Sequence, residues 1–349
     1  MPQSLPPDVA SAIEHFPVGT CSDLQIIQMG LIHRTFRVET TEGTYCLQAL
    51  HPKLATDEIM TDYQAVLTHL AAKNFPAPRL VPTTEEKPFF QSEDGVRWRM
   101  TTWLDGETFH TTDDLEQIRS AAEMLGHFHQ TMADFQGPFY TKHPLHQTAL
   151  HFEKMEQASQ AFADDPCYAE VAELIEEVRG TLPYLFLPEL PKRVVHGDPK
   201  FSNILFGSDG KAAAMIDLDT CNHHSILVDL GDAIRSWCRV GGEDQERPFS
   251  IERFTALIEG YTRKAPQLTR DEILRLPAAG RLITLELTAR FLTDYLEDEY
   301  FGWDKENYPS RRAHNLARAK GMLFLAQSML ESQKNILQVV RQHFMPNPS

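Results

Sequence analysis

The sequence predicts an α+β fold in two lobes, a small antiparallel β-sheet with one helix over residues 1–102 and a mainly helical lobe over residues 103–349. Three observations predict it. Period-two alternation of β-branched and aromatic residues is concentrated in the first hundred positions. Apolar residues at three- and four-residue steps dominate from about residue 103 onward. One strand-turn-strand signal, between Arg193 and Ile216, interrupts the helices. At 349 residues the chain is long enough for each lobe to bury a core of its own.

Taken in order, Gln25 to Leu50 reads as a hairpin: Phe36 and Val38 share one side, Glu42-Gly43 turns the chain, and Tyr45, Leu47 and Ala49 continue the alternation. Ile59, Tyr63, Val66, Leu67 and Leu70 predict a helix over Asp57 to Lys73, stopped by Asn74-Phe75-Pro76-Ala77-Pro78. Strands resume at Pro88 to Gln91 and Arg97 to Leu104, around the turn Glu93-Asp94-Gly95. Beyond Asp105-Gly106, Ala121, Leu125, Phe128 and Met132 mark a helical face. The loop Pro183 to Pro191 ends just before the strand cluster Arg193 to His196, Ile204 to Phe206 and Ala212 to Ile216. Further on, one helix carries Leu285, Ala289, Leu292 and Leu296 on its apolar face. Arg290 and Asp294, four apart and off that face, read on their own as a surface ion pair. The last helix, with Leu316, Ala319, Leu323, Ala326 and Leu330 in a stripe, reads as packed core.

Composition excludes several function classes. The 33 Lys and Arg against 49 Asp and Glu give a formal charge of −16, opposite in sign to a broad phosphate-binding surface, so no nucleic-acid partner is expected. Five scattered cysteines, with no Cys-x-x-Cys pair, suit reduced thiols and a cytoplasmic protein. The N-terminal stretch lacks a basic segment followed by an apolar run, and no stretch approaches 18 apolar residues, so neither export nor a membrane partner is expected.

The segment that carries chemistry is Val195-His196-Gly197-Asp198-Pro199-Lys200-Phe201-Ser202-Asn203, followed at Met215-Ile216-Asp217-Leu218-Asp219 by a second acidic cluster. Asp198 falls in a loop between strands, Asn203 follows five residues later, and the turn at Gly207 to Gly210 folds Asp217 back beside Asn203. Hard divalent cations such as Mg²⁺ take one or two carboxylates plus nucleotide phosphates, which Asn203 and Asp217, with Asp219 beside them, would satisfy. Asp198 is then free to accept a proton from a hydroxyl, and Lys200 to meet a transferring phosphoryl group. Any one of these residues alone would read as a turn or cap; the four in strand-loop-strand context read as phosphoryl transfer.

This spacing resembles the catalytic loop of protein kinases. The form His196-Gly197-Asp198-Pro199-Lys200 is similar to the aminoglycoside phosphotransferase and choline kinase-like families. Ile216-Asp217-Leu218-Asp219-Thr220, Asp229 to Arg235, Arg290 to Leu296, Tyr300-Phe301 and His314 to Arg318 resemble, more narrowly, the N-acetylhexosamine 1-kinase branch. The resemblance runs from about Gly30 to residue 330. It implies a bilobal protein-kinase-like fold and transfer of phosphate from ATP, with Mg²⁺, to a hydroxyl of a small sugar, in the closest relatives the anomeric one. It also implies that Arg290 and Tyr300 contact the sugar and that His196 orients the catalytic loop; Asp232 and Arg235, on a helix after the metal loop, read either as lining the sugar pocket or as a structural capping pair. Aminoglycosides, choline and polyols are the alternative acceptors.

One departure stands out. Most kinases place a phosphate-binding Lys on the third small-lobe strand, where this chain has Gln48. Two readings compete, an active enzyme whose Gln48 amide bonds phosphate without a charge, and a silent nucleotide-binding pseudokinase. Asp62, on the following helix, is a candidate partner for Gln48, or else a solvated carboxylate. Gly30, His33, Arg34 and Thr35 sit where a phosphate-covering loop belongs, though an ordinary hairpin turn explains Gly30 equally well; Met100 to Leu104, with Trp103, sit where a hinge would meet adenine through its backbone, their side chains reading as core. The histidines at 143, 146, 151, 223 and 224 lack a zinc-spaced framework.

Overall fold

The computed structural model describes residues 6–27, 33–142 and 145–345. The first lobe opens with helix α1 (Pro7–Glu14) and strands β1 (Cys21–Ile27), β2 (Arg34–Thr40) and β3 (Gly43–Ala49). After helix α2 (Asp57–Ala72) come the short strands β4 (Leu80–Val81) and β5 (Phe90–Gln91), then β6 (Arg97–Thr102). The sheet runs β1-β2-β3-β6-β4, with β5 also on β6 and every pairing antiparallel. The hairpin closes with Thr40 opposite Gly43, at the turn the sequence marks.

Alternation gives this sheet two unlike faces. Phe36, Val38, Leu47, Ala49, Trp98 and Met100 pack with Val9, Ala12, Ile13 and Phe16 into the small core. Helix α1, which the sequence reading passed over, is therefore the cover of the sheet's outer face. It is only eight residues long, begins with Pro at its first position, and gains its stability from burial more than from helix propensity. The opposite face carries Thr35, Cys46, Gln48 and Arg99 toward the junction between the lobes. Helix α2 sits there, N-capped by Thr56, whose hydroxyl accepts from the Ile59 N–H. Its Tyr63, Val66, Leu67 and Leu70 belong to the large core, so α2 packs mostly against the helical lobe.

That lobe contains α3 (Leu115–Thr131), α4 (Thr148–Ala161), α5 (Pro166–Arg179), α6 (Ile226–Trp237), α7 (Ile251–Tyr261), α8 (Arg270–Glu297), α9 (Arg311–Glu331) and α10 (Gln333–Phe344). Between α5 and α6 lie β7 (Lys192–Val195), β8 (Ile204–Phe206), β9 (Ala212–Met215) and β10 (Asn222–Ser225). Strands β8 and β9 form the hairpin read from the sequence. Strand β10, Asn-His-His-Ser, has no strand signature and exists because β7 offers it a ladder. Helix α8 is buried nearly all round: Leu285, Ala289, Phe291, Leu292, Tyr295 and Leu296 are each at most 3 % exposed. Its start is fixed by a capping box, Thr269 with Glu272, and Glu272 also receives two N–H groups from Arg193 on the loop side of β7. Among the described residues no helix is long and apolar enough to cross a membrane.

Candidate active site

The loop between β7 and β8 holds the motif. Gly197 has φ of +87°, and a Cβ there would stand 2.5 Å from the Thr220 carbonyl oxygen, so the chain needs glycine at this position. The His196 and Gly197 N–H groups both donate to the buried Asp229 carboxylate on α6, at 2.6 and 2.8 Å. Burial pushes the Asp229 carboxyl up, and hydrogen bonds from His129 and Gly197 outweigh it and hold the group below the ordinary carboxylate range. His129 in turn bridges Asp229 and the Tyr261 hydroxyl, both at 2.9 Å. His196 is fully buried. Its Nδ1 accepts from the Asp198 N–H (3.3 Å) and its Nε2 donates to the Ile216 carbonyl (3.0 Å), so both ring nitrogens are occupied in shaping the loop. The Trp237 indole donates to the Pro199 carbonyl at 2.9 Å.

Four chemically active side chains meet on this frame. Lys200 Nζ donates to Asp198 at 2.7 Å and lies 3.9 Å from Asp217. Asn203 donates its amide N–H to the Asp198 carbonyl at 2.8 Å, which leaves its side-chain oxygen without a donor among the described residues. The Ile216 N–H donates to the Asn203 carbonyl (3.0 Å), and this continuation of the β8-β9 ladder brings Asp217 beside Asn203. Asp217 sits in the left-handed region, φ 63° and ψ 52°, tolerable for Asp and fixed by the turn that follows. The protein crowding one side of it and the neighbouring Asp219 charge push its carboxyl above the usual range, against the pull of Lys200, while the side chain stays 44 % exposed. Lys200, partly desolvated, is nevertheless held above its ordinary value by Asp198 and Asp217. An amide oxygen and a carboxylate with no guanidinium partner fit a hard divalent cation.

Asp219 does not belong to that donor set. Both its oxygens are taken by the Arg99 guanidinium from β6, the longer contact at 2.6 Å, and the two groups are almost fully buried. Burial would raise the Asp219 carboxyl, but Arg99 holds it below its ordinary value. The expected metal role for Asp219 is thus corrected to that of a counterion joining the two lobes. Gln48 pairs with Arg99 as well, accepting from Nε at 2.9 Å, and donates to the Thr35 hydroxyl at 3.3 Å. Asp62 does not meet Gln48: it accepts the Tyr140 and Thr141 N–H groups, both at 2.8 Å, and ties α2 to the helical lobe. His33 is at the junction, 4.0 Å from Asp219, where burial pulls its pKa down to about 4.

Arg34 is a second correction. Alternation puts it on the outer face with Phe36, where it pairs with Asp8 of α1 at 2.8 Å, away from the nucleotide side. Trp103 follows β6, its N–H donating to the Thr44 carbonyl (3.1 Å) with Arg37 over its ring. Gly30 lies outside the described residues.

Arg235, expected to line a sugar pocket, is buried between Asp232 (2.7 Å) and Glu243 (2.7 Å). The other Asp232 oxygen is buried without a partner among the described residues, as is His146 Nε2. His146 Nδ1 is 2.8 Å from Glu286, which lies one turn before Arg290 on α8. Arg290 stacks on Phe301, 5.5 Å from the ring centre, and makes no pair with Asp294. Because α8 is enclosed, Asp294 is 3 % exposed and accepts the N–H groups of Glu299, Tyr300 and Phe301 together with the Asn315 amide, so the surface ion pair is corrected to a buried loop clamp. Tyr300 is 62 % exposed on that loop, packed edge-on to Phe301, and no contact joins it to Asp198. Arg99, Asp229 and His146 escaped functional assignment from the sequence. The one signal was a charged residue at every second position of Arg97-Trp98-Arg99.

Residues 23–266, more than half of the chain, match the phosphotransferase enzyme family. The chain belongs to that family. The phosphotransferase is 27 % identical to a homoserine kinase of Zymomonas mobilis over 76 % of this chain and 79 % of that one. It is 25 % identical to a homoserine kinase of Methylocella silvestris over 82 % and 85 %. Among solved structures, an amicoumacin kinase in complex with AMP-PNP and Ca²⁺ aligns with TM-score 0.62 at 14 % identity, covering 97 % of this chain and 93 % of that one. An aminoglycoside phosphotransferase from Alicyclobacillus acidocaldarius aligns with TM-score 0.62 at 12 % identity, over 98 % and 97 %. The fold of the phosphotransferase is thus protein-kinase-like, as expected from the motif, and the protein is a small-molecule kinase with an alcohol group as acceptor.

Proposed function

We propose that the phosphotransferase moves the γ-phosphoryl group of ATP, with Mg²⁺, to a hydroxyl of a small sugar, by preference the anomeric hydroxyl of an N-acetylhexosamine or a related hexose. The convergence of Asp198, Lys200, Asn203 and Asp217 on one loop and hairpin carries the catalytic part of this reading. Asn203 and Asp217 would hold the Mg²⁺, which when bound neutralises phosphate charge. Asp198 orients the acceptor hydroxyl and takes its proton as the oxygen bonds to the γ-phosphorus and the bond to the departing ADP oxygen breaks. Lys200 offsets charge on the phosphoryl oxygens in flight. The complete catalytic set favours an active enzyme over a pseudokinase.

The sugar assignment is supported by the motif resemblance beyond the catalytic loop and by the acceptor side itself. Asp232, Arg235, His146 and Arg290 mix both signs of charge, and two buried polar atoms there have no partner among the described residues, which suits a ligand with several hydroxyls. A second reading, an amino-acid alcohol, is favoured by the curated relatives named homoserine kinase. The five free thiols support a cytoplasmic location. A panel of N-acetylglucosamine, N-acetylgalactosamine, simple hexoses, homoserine, choline and an aminoglycoside, with the product position read by phosphorus NMR, tests the assignment. Selective turnover of a hexosamine is expected, and turnover of homoserine alone would replace sugar with amino-acid alcohol.

A further inference from the structure

Gln48 leaves the third strand of the small lobe without the cation that a nucleotide's phosphates call for. The structure places a different cation at the same spot. Arg99 is directly opposite Gln48 in the β3-β6 register, and its Nε donates to the Gln48 side-chain oxygen at 2.9 Å. The guanidinium lies over Tyr63 of α2, 4.0 Å from the ring centre, and grips both oxygens of Asp219, two residues beyond Asp217. A chain of contacts thus runs from Thr35 through Gln48 and Arg99 to the Asn203-Asp217 loop. Of its five N–H donors three are engaged this way, and the remaining two have no partner among the described residues.

Stability alone accounts poorly for this arrangement, because burying an Arg-carboxylate pair costs about as much in lost hydration as it returns, and apolar residues of similar volume serve as well. Electrostatics at the site accounts for it better. Without Arg99, Asp219 would be an uncompensated carboxylate two residues from Asp217, facing an anionic nucleotide.

We infer that Arg99 is the small-lobe cation of the nucleotide site, a positioning residue that carries from β6 the charge missing at Gln48 and sets the metal-binding loop through Asp219. This rests on the proposed binding of MgATP between the lobes. The test compares wild type, Arg99→Gln and the relocated-charge variant Gln48→Lys/Arg99→Gln by calorimetry with MgATP, by KM for ATP and for the acceptor, and by thermal melting. Arg99→Gln is expected to weaken MgATP binding and raise the KM for ATP at least about tenfold, with the acceptor KM within about threefold, and the double variant to regain most of that loss. The double variant also serves if Arg99→Gln fails to fold, since a charge restored on β3 should restore both folding and affinity. Folded Arg99→Gln with unchanged MgATP affinity, or a folded double variant no better than the single one, overturns the inference. Wild type that binds no MgATP removes the underlying reading, and the inference with it.

Discussion

At Gly197 the backbone geometry and the chemistry are one constraint: φ of +87° and contact with the Thr220 carbonyl admit no side chain, and the bend delivers two N–H groups to Asp229. The Asp198 carboxylate is consequently presented by a loop anchored on both sides, at 196–197 by Asp229 and at Pro199 by Trp237, with Lys200 as its ion partner. Replacing Asp198 by Asn keeps the shape and the polarity but removes the proton acceptor. Turnover is expected to fall by at least about two orders of magnitude while MgATP affinity by calorimetry stays within a few-fold. Near-normal turnover in Asp198→Asn would remove it from the role of base.

Among elements, α8 ties three polar clusters to the core. It presents Glu286 to His146 and Thr148, Arg290 to Phe301, and Asp294 to the 299–301 backbone, all within about two turns. Burial would lower the His146 pKa, but Glu286 prevails and holds the imidazolium above its ordinary value; Glu286 is held below its own by His146 despite burial. A raised histidine contributes stability that is complete below its unfolded pKa of about 6.5 and is lost as pH rises through the folded value. The difference in melting temperature between wild type and Glu286→Gln should therefore be largest near pH 6 and shrink toward pH 9. A difference that grows with pH would show that the pair is not charged.

For the whole molecule, the two lobes have separate cores joined by α2 and by the Arg99-Asp219 pair. A ligand bound at this junction stabilises the folded chain by mass action, about 2.7 kcal/mol at a hundred times its dissociation constant. MgATP should accordingly raise the melting temperature by several degrees, and ATP with a chelator by much less, since without the metal bare phosphates face Asp198, Asp217 and Asp219 with only Lys200 and Arg99 to offset the charge. Asp217→Ala should abolish most of the MgATP shift. A full shift with metal-free ATP would contradict the assigned cation donors.

By itself the sequence determined the two-lobed α+β order, the β2-β3 and β8-β9 hairpins, and the spacing that unites Asp198, Lys200, Asn203 and Asp217, because all of these depend on local periodicity, turn residues and neighbours within about twenty positions. What it left open depends on contacts across long stretches of chain. Arg99 and Asp219 are 120 residues apart, His129 and Asp229 100, and His146 and Glu286 140. The partner of a buried charge is chosen by which surfaces the fold brings together, and burial makes that choice binding, since an unpaired ion loses its hydration with nothing in return. Only the tertiary structure could therefore turn Asp219 from a metal ligand into the counterion of Arg99 and show Asp294 folding a loop.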